Sequence, residues 1–158
     1  RPPLVIIHPD AQQRVALQFL YGLNYIHSQG LLHRDISLQN VLMKVYSSGA
    51  VLVKLSDFGL VKEATSDFTL TQTELRGTIW DPQLESLKAY NVTNEIYATG
   101  WGLSFIFTGR QSLGHGTDDA AQIVKKCTDH DPGQRYGSVL DLIADVEALV
   151  TTPTDAPA

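Results

Sequence analysis

Two short stretches of the chain carry residues that could do chemistry together: HRDISLQN, from His33 to Asn40, and DFG, from Asp57 to Gly59. The first places a carboxylate at Asp35 and a carboxamide at Asn40, five residues later. The second adds Asp57, 22 residues after Asp35. Oxygen donors of this kind suit Mg²⁺, which is held by one or two carboxylates together with phosphate oxygens of a substrate. Brought to one point, they fit phosphoryl transfer. One carboxylate orients an attacking hydroxyl, while the other and the Asn hold metal against the phosphates. Taken singly, Asp35, Asn40 and Asp57 read as turn or cap residues; only the combination points to chemistry.

Such a combination needs elements that bring its parts together. VLMKVY (Val41–Tyr46) and VLVKL (Val51–Leu55) are short β-rich runs around SSGA, a turn sequence, so a hairpin is expected. Its two outer ends meet, which carries Asp35 and Asn40 towards Asp57. Before it, Val15, Phe19, Leu23 and Ile26 recur at helical spacing. That helix is expected to begin with Asp10 as cap and to stop at Gly30. Residues 62–91 show no period and read as a long loop, of the kind that is usually functional. A second helix is expected near Thr93, with Thr93 as cap and Glu95 in its first turn. Its sequence, IYATGWGLSFIF, is apolar almost all round and so buried on most faces, which makes the Trp101–Phe107 stripe core. A third helix opens at Asp118 or Asp119 and runs through Cys127. DHDPGQRYG is a turn. Ser138 and Asp141 form a capping-box pair for a last amphipathic helix built on Val139, Leu142, Ile143, Val146 and Leu149. The fold class expected is mainly α with a small β-hairpin. Residues 1–9 read as a lead-in, 10–150 as the domain and 151–158 as a disordered tail or linker.

The bulk properties limit partners and surroundings. The chain has 158 residues and a net charge of −5. An acidic balance argues against nucleic acid and anionic membranes, which need basic patches. No stretch is long and apolar enough for a membrane span. One cysteine, Cys127, excludes an internal disulfide and suits a reducing, cytoplasmic setting; it reads as a buried core thiol. His8, His27, His115 and His130 lack metal-ligand spacing and read as surface or structural residues. The chain opens RPP without an initiator Met and is expected to continue from something longer.

The motif pair resembles the protein kinase family, whose signatures are H-R-D-L-x-x-x-N and D-F-G. The resemblance implies that Asp35 is the catalytic base, Asn40 a metal ligand and Asp57 the main metal ligand, with ATP and Mg²⁺ as cofactors. It implies that His33 and Phe58 stack in the core beside Gly59, and that Leu42 packs beneath the nucleotide base. Arg34 would pair with a phosphate on the activation segment, where Thr65, Ser66, Thr69, Thr71 and Thr73 are available. Gly77-Thr78 resembles the start of the peptide-docking loop, with Thr78 reaching Asp35 as in Ser/Thr kinases. DPQ (Asp81–Gln83) stands where the family has Ala-Pro-Glu. Glu95 replaces the usual Asp that holds the catalytic loop, and Arg135 would pair with the neutral Gln83.

The likeness covers residues 10–150 and is to the C-terminal lobe of a kinase. No G-x-G-x-x-G and no V-A-I-K-like strand precedes His33. Without the roof over the phosphates, phosphoryl transfer should lose many orders of magnitude. Ser37 stands where Ser/Thr kinases place a Lys, and Gln39 where tyrosine kinases often place Arg. Gln83 and Glu95 are expected to weaken two structural anchors, and the segment after Gly109 is too short for the helix that often follows the central one.

The favoured reading is the C-terminal lobe of a Ser/Thr protein kinase, expected to be inactive as an isolated chain. The alternative is a non-catalytic binding or scaffold module. A small-molecule phosphotransferase shares the Asp, Asn and Asp, but Arg34, the Phe-Gly after Asp57 and Gly77-Thr78 argue against it. The implied partners are a protein or peptide substrate and the N-terminal lobe, with self-association of the isolated lobe through its exposed apolar face.

Overall fold

The computed structural model describes residues 8–48, 50–56, 62–63, 79–86 and 89–150. Its elements, in order, are α1 (Pro9–Ser28), β1 (Leu31–Leu32), β2 (Val41–Val45), β3 (Val51–Leu55), β4 (Lys62–Glu63), α2 (Val92–Thr108), α3 (Asp119–Cys127), a 3-10 turn (Pro132–Gln134) and α4 (Val139–Glu147). The architecture is mainly helical, as the sequence pattern implies. The core joins Phe19, Leu20 and Leu23 of α1 to Ile96 and Leu103 of α2 and to Leu142 and Val146 of α4, all buried. Each such side chain contributes about 1.5–3 kcal/mol through burial.

α1 also organises its neighbours through three glutamines. Gln12 Nε2 donates to the Phe107 carbonyl (3.1 Å) near the end of α2. Gln13 Nε2 donates to the carbonyls of Val146 (3.0 Å) and Leu149 (3.1 Å) at the end of α4. Helix ends leave carbonyls without intrahelical partners, and these amides supply them. Gln18 grips β3 on both sides of its backbone: Nε2 donates to the Val51 carbonyl and Oε1 accepts from Val53 N–H, each at 2.9 Å.

The β2–β3 hairpin is antiparallel, with Val41 opposite Leu55 and Val45 opposite Val51. The expected loop over residues 62–91 needs one correction. Lys62 and Glu63 pair antiparallel with Leu32 and Leu31. A two-residue ladder is too short to leave a period in the sequence, which is why the pattern could not show it.

Three caps differ from expectation. α1 starts one residue before Asp10: His8 is the N-cap without a side-chain cap bond, Pro9 opens the helix and Asp10 sits in the first turn. Proline's fixed φ is pre-set for that first position. α2 is capped by Asn91, not Thr93; Asn91 Oδ1 accepts from Thr93 N–H (2.9 Å), and Asn94 Oδ1 accepts from Asn91 N–H (2.8 Å). Asn is a stronger cap than Thr, and the reciprocal Asn94 bond adds to it. At α4, Ser138 Oγ accepts from Asp141 N–H (3.1 Å), which makes one half of the expected capping box. Two glycines and an Asp set the remaining ends. Gly30 and Gly109 take φ of 74° and 72° after α1 and α2, and Asp118 caps α3.

α2 buries ten of its residues, including Glu95, Thr99 and Gly100. At Gly100 an added Cβ would lie 2.7 Å from Cys127 Cβ and 2.7 Å from Thr128 Cγ2, so α3 crosses where only glycine fits. Cys127 is fully buried, and burial pushes its thiol well above the ordinary range. Among the described residues, no helix is long and apolar enough to cross a membrane. The sequence tail 151–158 and most of the lead-in lie outside the described residues.

Candidate active site

The segment between β1 and β2 holds His33, Arg34, Asp35 and Asn40, and all four are buried. Its shape is set by Glu95, which the first turn of α2 pushes under it. Glu95 Oε2 accepts from His33 N–H (3.1 Å) and Oε1 from Arg34 N–H (2.6 Å). The same carboxylate pairs with His27 Nε2 from α1 and accepts from Tyr90 Oη (3.2 Å). A fully buried carboxylate needs such donors to offset its desolvation. Burial, and then the Glu95 charge, push the Tyr90 phenol well above its ordinary value, so it remains a donor. Burial also draws the Arg34 guanidinium below its usual value, opposed by Tyr90 and Glu95.

Arg34 has φ of 67°, the left-handed region that costs a long side chain energy. Two consecutive N–H groups aimed at one carboxylate over-determine that conformation. The substitution of Glu for the family's Asp was expected to weaken this anchor. In the structure Glu95 reaches both N–H groups and also takes His27 and Tyr90 as partners.

Downstream, the loop is fastened to the hairpin mouth. His33 Nδ1 accepts from Asp35 N–H (3.2 Å), leaving its Nε2 to donate to the Ser56 carbonyl (2.9 Å). Asn40 Nδ2 donates both to the Asp35 carbonyl and to Asp35 Oδ2, each at 2.9 Å. Ser56 N–H donates to the Asn40 carbonyl (2.8 Å), closing the hairpin one residue before Asp57. The structure therefore brings His33, Asp35, Asn40 and Ser56 together. Asp57, Phe58, Gly59, Gly77 and Thr78 lie outside the described residues, as do Thr65, Ser66, Thr69, Thr71 and Thr73. Leu42 is 41% exposed on the outward face of β2, opposite Lys54. Ser37 is buried within the loop, and its carbonyl accepts from Asn40 N–H (3.1 Å). Among the described residues, no group of three or more His, Cys, Asp and Glu side chains is placed to hold a metal ion.

The expected pairing of Arg135 with Gln83 is not made. Arg135 forms a bidentate pair with Asp81, through Nη1 to Oδ2 and through Nη2 to Oδ1 (3.1 Å). Its Nη1 also donates to the Thr93 carbonyl (3.1 Å), its Nε to the Asp129 carbonyl (2.8 Å), and its guanidinium lies 5.0 Å from the Tyr97 ring centroid. Asp81 further accepts from Gln83 N–H (2.9 Å) and Asn94 Nδ2 (2.8 Å). Burial raises the Asp81 pKa, but these hydrogen bonds and the Arg135 charge outweigh it and hold the carboxyl below the usual range. A guanidinium selects the carboxylate within reach over a neutral amide, so Asp81 takes the anchor. Gln83 turns outward, and its Nε2 donates to His130 Nδ1 (3.1 Å). Sequence reading missed Asp81 although it stands two residues before Gln83; being the sole carboxylate in DPQ was the available signal. It also missed the specific partnership of His27 and Tyr90 with Glu95, for which spacing gives no signal.

The protein kinase domain model matches residues 4–145, and the chain belongs to that family. Among curated proteins it is similar to a dual serine/threonine and tyrosine protein kinase of Strongylocentrotus purpuratus, with 34% identity over 107 residues, 68% of this chain and 10% of that protein. A shorter match to the protein of the same description from Apis mellifera is 53% identical over 32 residues, 20% of this chain and 3% of that protein. A probable serine/threonine-protein kinase of Schizosaccharomyces pombe is 62% identical over 29 residues, 18% of this chain and 4% of that protein. The chain thus spans a tenth or less of the length of these relatives.

Proposed function

We propose that this chain is the catalytic-loop side, the C-terminal lobe, of a protein kinase that moves the ATP γ-phosphate to a Ser or Thr hydroxyl of a protein. The observation that carries this reading is the Asp35–Asn40 pair, locked to each other at the hairpin mouth and shaped from below by Glu95. Asp35 orients the attacking hydroxyl and takes its proton as the new oxygen–phosphorus bond forms. The bond from the γ-phosphorus to the bridging oxygen breaks, and ADP leaves with that electron pair. Asn40 suits a hard cation. Its Nδ2 is committed to Asp35, which leaves Oδ1, an oxygen donor, as the carboxamide atom a cation would take. Asn40, with Asp57 following Ser56, would hold Mg²⁺, which when bound neutralises charge on the phosphate oxygens. The outward face of the hairpin, with Leu42 and Leu52 exposed, is the surface we assign to the nucleotide side of the complete kinase.

One observation favours a second reading, a non-catalytic scaffold: Ser37, buried in the loop, stands where a Ser/Thr kinase would carry a Lys. The deciding test is phosphorylation of a Ser/Thr peptide library by the full natural protein with labelled ATP and Mg²⁺. Under the kinase reading, Asp35→Asn keeps the Asn40 contact but lowers kcat by about 10²–10⁴-fold, the range for a general base. Inactivity of the wild type with partner binding retained would establish the scaffold instead.

A further inference from the structure

We propose that the groove between the end of α2, residues 109–118 and α3 docks an extended acidic segment of the protein substrate. The groove is a cavity of about 840 Å³ that is open to solvent. That is within the range of sites that take a short peptide or small ligand, roughly 300–1,000 Å³. The lining of the groove starts on α2 at Ser104, nine residues beyond Glu95, so at 1.5 Å rise per residue it begins about 14 Å along the helix from the loop that Glu95 holds. It is a separate place on the molecule.

Its floor is apolar: Phe107, Leu113, Ala121 and Val124 line it. Its rim carries two exposed cations, Arg110 and Lys125. The one carboxylate in the lining, Asp118, is already committed to its own helix, where Oδ1 accepts from Ala121 N–H (2.9 Å). A cationic rim on a chain of net charge −5 is local complementarity for an anionic partner. The wall is fixed beforehand. Ser104 Oγ donates to the Ser112 carbonyl (2.9 Å), and Arg110 Nη1 lies 3.1 Å from His115 Nδ1. Gly114 and Gly116 both hold φ of 85°, which lets the loop curl back without closing the space. An extended segment that sets apolar side chains on the floor and carboxylates against the rim uses both features. A purely ionic or purely apolar ligand would use one.

Calling the bound segment part of a substrate rests on the kinase reading above; binding itself does not. The first experiment is fluorescence anisotropy of the full protein with a labelled Glu-Asp-Leu-Phe-Asp-Glu peptide. Binding should weaken with salt, because exposed charges are screened over about 10 Å at 0.1 M. The Arg110→Glu/Lys125→Glu double variant should lower affinity about tenfold, and a Lys-for-acid version of the peptide should recover it. Both side chains are exposed, so the variant is expected to fold, with circular dichroism as the check. Ala121→Phe, which fills the floor, should weaken both peptides. No binding to wild type, equal binding of a Gln/Asn version, or no loss in the double variant overturns the proposal. Adding the acidic segment to a phosphorylated peptide should lower KM in wild type only, with kcat unchanged. Binding without any phosphoryl transfer would keep the groove and sink the kinase reading, and transfer without binding would do the reverse.

Discussion

Glu95 and Asp81 are both buried carboxylates beside the start of α2, and they are stabilised in different ways. Glu95 gathers two backbone N–H groups of the loop between β1 and β2, an imidazole and a phenol. Asp81 takes a bidentate guanidinium, one amide and one N–H. The first set fixes the path of a backbone, including the left-handed Arg34. The second ties three separate segments, at residues 81, 94 and 135, into one piece. Burial alone therefore does not say what a charge is for. The partners do: backbone donors indicate that a shape is being held, and a side-chain cation indicates that elements are being clamped.

The largest expected effect tests the clamp. Arg135→Met leaves Asp81 buried without its cation and should cost about 3–5 kcal/mol in urea unfolding. Adding Asp81→Asn should recover most of that loss. Activity per folded molecule should stay near wild type, and a collapse of kcat would mean that the clamp also shapes the site. Next comes the shape-holder. Glu95→Gln keeps the size but replaces one acceptor with a donor, and each unsatisfied buried group costs about 1–3 kcal/mol. Its kcat should fall about 10²-fold, since small misplacements of reacting groups cost that much. Kinetics and unfolding measured together would show whether activity falls further than stability.

Gly100→Ala supplies a steric control on the same helix. Its Cβ meets Cys127 and Thr128 at 2.7 Å and should cost about 1–3 kcal/mol with kcat unchanged. The smallest effect is in acid. Asp81 is held below the usual carboxylate range, so its contribution is complete above the unfolded value of about 3.9. It is lost as pH falls through the lower folded value. Asp81→Asn should flatten that acid slope of stability. An unchanged slope would assign it to other carboxylates.

How much of this was legible beforehand depends on the kind of signal each feature leaves. The helices, the hairpin and the Gly30 stop follow from apolar period and turn chemistry, which are local. That Asp35 and Asn40 lie near the hairpin mouth follows from their spacing and the hairpin, whereas the hydrogen bonds between them leave no mark in the sequence. Arg135 pairs with Asp81 and not with the expected Gln83, because charge rather than motif position selects the partner. The β1–β4 ladder and the His27–Glu95 pair join residues 32 and 68 apart or nearby, and nothing in a linear pattern marks such contacts. The β4 pairing in particular is made of backbone, which has no residue code.

The two N–H groups that donate to Glu95 have a further consequence in time. Loop amides ordinarily exchange their hydrogens with solvent quickly, because small local openings suffice. Those of His33 and Arg34 point at a fully buried carboxylate, so releasing either requires α2 to part from the loop. In heavy water they should behave as helix-core amides and exchange near the global rate. Two slow sites in a segment without regular structure would then report, residue by residue, how long the loop keeps its form.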